Sequence, residues 1–74
     1  MDRAAKLAAL VLAEKSAALG ENHIAQQERI VADLDRHGHE TKLAIALLNT
    51  LRSTQTQHVA HRDRLLRELA LTPS

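Results

Sequence analysis

Along the first half of the chain, apolar and small residues recur at alternating steps of three and four. Leu10, Ala13, Ala17, Gly20, Ile24, Gln27, Val31 and Leu34 form that series, which is the heptad seam of a coiled coil. The spacing predicts a helix over residues 3–37. The centre of the seam is small, since Ala13, Ala17 and Gly20 invite close approach by another helix. A glycine inside a helix costs about 1 kcal/mol relative to alanine, so Gly20 is read as a tight packing point, with a hinge as the alternative. The second half carries a wider stripe. Ile45, Leu48, Gln55, Val59, Leu66 and Leu69 define one edge, and Leu47, Leu51, His58 and Leu65 define another. This predicts a second helix over residues 41–71 with two neighbours, because one neighbour covers one stripe. The polar run Ser53-Thr54-Gln55-Thr56-Gln57 is a moderate helix former that the pattern crosses without a breaker.

Between the two patterns the chain reads Asp35-Arg36-His37-Gly38-His39-Glu40-Thr41. Gly38 suits the left-handed residue that ends a helix, because it lacks a Cβ. Thr41 is placed to cap the next helix, with Glu40 near its positive end. The single Pro73 stands near the C-terminus. The fold expected is therefore all-α: one domain over residues 1–74, an antiparallel two-helix hairpin with its turn at residues 38–40.

A lone hairpin buries one face per helix. Leu7, Val11, Leu12, Leu19 and Ile30 lie outside the seam of the first helix and would stay wet. Two hairpins pairing into a four-helix bundle would cover such surface. A homodimer of this kind is the expected assembly, with docking on a larger protein as the other use of the same surface. The expected core is Ile24, Val31, Leu34, Ile45, Leu48, Leu51, Val59, Leu66 and Leu69. All but Ile45 are also the expected interface. Gln27, Gln55 and Arg62 interrupt the seam. Polar groups there either set register and oligomeric state or lie on a solvated edge.

Composition narrows the function. The chain has no Cys and no aromatic residue, and its net charge is +1. A disulfide scaffold, a Cys-ligated zinc module and a thiol enzyme are thereby excluded. Stacking platforms for single strands and a strong phosphate-binding field are lacking, so no nucleic-acid partner is expected. The longest apolar run, Leu7 to Ala13, is seven residues, whereas a bilayer span needs roughly 20. No membrane association is expected, and the reading is a cytoplasmic protein starting at Met1 rather than a secreted one. Residues 1–40 hold five Lys/Arg and seven Asp/Glu, net −2, and residues 41–74 hold five and two, net +3. Antiparallel pairing sets these complementary halves side by side.

Five histidines are many for 74 residues. His58 and His61, three apart, share a helix face, and neutral imidazole binds Zn, Ni or Cu. With the turn centred on Gly38, His58 falls near Leu19, His61 near Ser16, and His23 opposite Thr54. His23, His58 and His61 are therefore the candidate ligands of a metal-binding or metal-sensing bundle, the alternative to an interaction module. A pH-sensitive interface is a further use of histidine. No HExxH motif, phosphate loop or nucleophile elbow is present around Ser16, Ser53 or Ser74. A two-helix chain also offers little concavity, so no enzyme, catalytic residue or cofactor is expected. The basic run from His61 to Glu68 suits the C-terminal end of a helix dipole better than a nucleic-acid contact.

The residues Asn22-His23-Ile24, Glu28-Arg29, the turn from Asp35 to Thr41, Ala46-Leu47-Leu48 and His61-Arg62-Asp63-Arg64 carry one likeness. Over residues 20–70 the chain resembles short helical proteins of unknown function from alphaproteobacteria. That resemblance implies a bacterial, soluble, helical protein, with no activity, ligand or site residue attached. The functional expectation is a self-associating helical module, an adaptor or regulator of a larger bacterial protein.

Overall fold

The computed structural model describes residues 2–71. Pro73 and Ser74, singled out in the sequence, lie outside the described residues. Two helices make up the fold, α1 over Arg3–Arg36 and α2 over Lys42–Leu71. They pack as an antiparallel hairpin in a rod of 57 × 14 × 14 Å. Helix α2 runs unbroken through the polar stretch of residues 53–57.

Local chemistry defines each boundary. The Asp2 carboxylate accepts the Ala5 N–H at 2.7 Å and caps the start of α1. At the other end, His39 N–H donates to the Leu34 carbonyl at 2.9 Å and Gly38 N–H to the Asp35 carbonyl at 3.1 Å. These two bonds make a Schellman motif, with Gly38 in the left-handed region at φ +72°. At the start of α2 the Thr41 carbonyl accepts from Ile45 N–H at 2.9 Å. The Glu40 carboxylate accepts from Lys42 N–H, also at 2.9 Å, where the helix dipole favours an anion.

A Cβ at Gly38 would meet nothing within 4 Å, so alanine there suffers only the backbone penalty of the left-handed region. Gly38→Ala is expected to cost about 1 kcal/mol, which lowers the thermal midpoint of a domain this size by roughly 4–8 °C. Circular dichroism on heating measures it. An unchanged midpoint would contradict the assigned turn.

All eight seam positions of α1 are buried or half-buried. Helix α2 meets them with a single row at steps of three and four: Leu48, Leu51, Gln55, His58, Arg62, Leu65 and Leu69. That row takes members from both stripes seen in the sequence. Ile45 and Leu66, expected in the core, are instead 41% and 46% exposed in the hairpin, whereas Leu65 is 4% exposed. The reason is geometric. One antiparallel neighbour covers the inner row of each stripe, and the outer rows face away from α1.

Candidate functional site

The middle of the rod is built around a glycine and a glutamine. Gln55 stands on the inner row of α2 and is buried against α1. Its side-chain Nε2 donates to the Ala17 carbonyl at 2.8 Å. Its Oε1 is buried with no hydrogen-bond partner and lies over Gly20, where a Cβ would overlap it. Gly20 is thus a tight packing point: the missing side chain makes room for the amide. Nearer the turn, Gln27 Nε2 donates to the Ala44 carbonyl at 2.9 Å. Each helix therefore sends one buried amide to the backbone of the other. Both glutamines are buried within the seam, and neither lies on a solvated edge.

A groove of about 220 Å³ opens beside this pair, lined by Ser16, Leu19, His23, Leu51, Thr54 and His58 among others. Two of the three candidate metal ligands, His23 and His58, share it. His61 does not line it, and its Nδ1 accepts from Arg64 Nη2 at 3.2 Å on the exposed surface. Among the described residues no group of three His, Asp or Glu is placed to hold a metal ion. Two imidazoles supply half of a tetrahedral ligand set. His37 and His39 flank the turn with ring centroids 6.5 Å apart, and His37 Nδ1 lies 2.8 Å from the Asp33 carbonyl.

On the other side of the seam a second groove is lined by Glu28, Val31, Ala32, Asp35, Ile45, Leu48 and Arg52 among others. Arg52 pairs across it with Glu28 at 3.1 Å, both half-exposed. That places an α2 cation against an α1 anion, as the opposite charges of the halves imply. An exposed pair of this kind contributes less than about 1 kcal/mol. At the open end of the hairpin, Arg3 donates to the Leu69 carbonyl at 3.2 Å, where a cation complements the end of the α2 dipole. Arg62 reaches Asp63 with two nitrogens at 3.1 and 3.2 Å.

The expected interface residues divide in the hairpin. Leu48 and Leu69 are buried, Ile24, Val31, Leu34, Leu51 and Val59 are half-buried, and Leu66 is exposed. Leu65 was named in the sequence only as part of the second stripe, yet it is among the most deeply buried residues. Its spacing from Leu51, His58 and Leu69 was the available signal. Among the described residues no helix is long and apolar enough to cross a membrane. No protein-family model, curated protein or solved structure matches this chain.

Proposed function

We propose that this chain is a non-enzymatic helical module that self-associates through the apolar faces its hairpin leaves open. Two copies form a four-helix bundle and serve as an adaptor or regulator of a larger bacterial protein. One observation carries the reading: among the described residues no side chain is fully buried, while Val11, Leu12, Leu19, Ile30 and Leu47 remain about half exposed or more. A pair of helices in this state has half a core. Burying the remainder against a second hairpin contributes roughly 25 cal/mol per Å², and the bundle is the arrangement that does so on both helices at once.

Equilibrium sedimentation over a micromolar dilution series tests this. The expected result is a reversible monomer–dimer equilibrium, with helicity and thermal midpoint falling as the dimer dissociates. A well-folded monomer whose midpoint is independent of concentration would remove the reading.

A further inference from the structure

The two grooves lie on opposite sides of the seam between the paired helices, and heptad spacing assigns the exposed apolar residues to one side or the other. Leu12 is seven residues from Leu19, Ile30 seven from His23, and Leu47 seven from Thr54. Each of those reference residues lines the groove beside Gly20. Leu12, Leu19, Ile30 and Leu47, all about half exposed or more, therefore share that face. The opposite face is of another kind. Glu14, Glu21, Glu28 and Asp35 follow one another at sevens, are all exposed, and include two residues that line the second groove. Leu7, Val11 and Leu66 lie on this side too, beyond Glu14 towards the open end of the hairpin. On the first face the central positions at this spacing, Leu12, Ser16, Leu19, His23, Gln26 and Ile30 of α1 and Leu43, Leu47, Thr50, Thr54, Gln57 and His61 of α2, are uncharged apart from the imidazoles, and Asp33, Arg64 and Glu68 stand towards its ends.

We infer that a second copy of this chain covers the first face, central groove against central groove. The inference rests on the self-association proposed above and says which face is used. Charge supports the choice, because pairing through the other face would take the carboxylate row and its copy out of water, a cost that ion pairing seldom offsets. Area supports the occupant. One side of the rod measures 57 × 14 Å, a footprint on the order of 800 Å², which leaves room for the roughly 800 Å² that each partner contributes to a standard interface. Symmetry supports the register. The first groove spans residues 16–23 of α1 and 51–58 of α2, the middle of Arg3–Arg36 and of Lys42–Leu71. A two-fold axis lying between two stacked hairpins runs either along the rod or across it. With full overlap, both cases set the midpoint of one face on the midpoint of its copy, so Leu19 at the rim of one groove meets the groove of the other.

The chain has no cysteine, so a single introduced thiol reports position without ambiguity. Thr54 lines the first groove, whereas Thr56 stands one helical turn after Arg52, which lines the second groove, and is therefore on the other side. A short bismaleimide is expected to cross-link Thr54→Cys into dimers and to leave Thr56→Cys monomeric on a denaturing gel. Independently, Leu19→Asp is expected to raise the dimer dissociation constant by at least about 10-fold, and Val11→Asp to leave it within about 2-fold. Circular dichroism checks that both variants remain helical. Cross-linking through Thr56→Cys, equal yields from both thiols, or dissociation by Val11→Asp and not by Leu19→Asp would overturn the choice of face and leave self-association standing. A wild-type chain that sediments as a monomer overturns both.

Discussion

Leu65→Ala is expected to lower the free energy of unfolding by about 2–5 kcal/mol, the range for a leucine truncated in a packed interior. Leu65 is 4% exposed on the inner row of α2, near the open end of the hairpin. No disulfide holds that end, and no aromatic side chain fills the space left behind. Small helical domains have little stability in reserve, so the loss is a large part of the total. The adjacent residue provides an internal control. Leu66 is 46% exposed, and Leu66→Ala is expected to change stability by less than about 0.5 kcal/mol, as for surface positions generally. Urea unfolding followed by far-ultraviolet circular dichroism, at one protein concentration for all variants, measures both. A greater loss at position 66 than at 65 would show that α2 is rotated about its axis relative to the packing described above.

The second large effect has the opposite sign. Gln55→Leu is expected to stabilise the fold by about 1–2 kcal/mol. The buried Oε1 has no partner, and an unsatisfied buried acceptor costs roughly 1–3 kcal/mol. The amide recovers only the single bond from Nε2 to the Ala17 carbonyl, about 1 kcal/mol net. Leucine removes the penalty and adds apolar burial at a position that already contacts α1. For a domain of this size the expected rise in thermal midpoint is roughly 4–8 °C per kcal/mol. A second consequence separates stability from specificity. A polar residue on a coiled-coil seam holds register and oligomeric state at a cost in stability. The Gln55→Leu chain is therefore expected to sediment as a mixture of association states where the parent gives one equilibrium. A fall in midpoint would show that the bond to Ala17 outweighs the orphaned oxygen.

The seam of α1 was legible because its neighbours in sequence differ in kind. Ala13 and Ala17 are flanked by Glu14, Lys15 and Ser16, so only one helical face could be dry. On α2 the contrast fails. Leu47 and Leu48 stand side by side, as do Leu65 and Leu66, and hydropathy alone gives each pair equal claim to the inside. What separates them is the strict alternation of three and four that one antiparallel neighbour imposes, which admits Leu48 and Leu65 to the inner row and turns Leu47 and Leu66 outward. The candidate ligand set was partly legible in the same way. Adding up positions about the turn places His23 opposite Thr54 and His58 near Leu19, about one turn apart, and all four line one groove. His61, seven residues from Thr54, is on the same side but further along the rod and outside that groove, because each residue advances a helix by about 1.5 Å.

Local sequence was sufficient for two helices, a Gly38 turn and a hairpin. Helix propensity, capping groups and a left-handed glycine act over a few residues, and no distant contact alters them. Tertiary structure alone decided the fate of Gln27 and Gln55. A glutamine on a seam is buried within it or lies on a solvated edge according to which backbone carbonyl stands opposite, and that depends on how two helices slide past each other. The sidedness of the exposed leucines was decided in the same way. It requires knowing where α2 lies, since a face is open or closed only with respect to a neighbour.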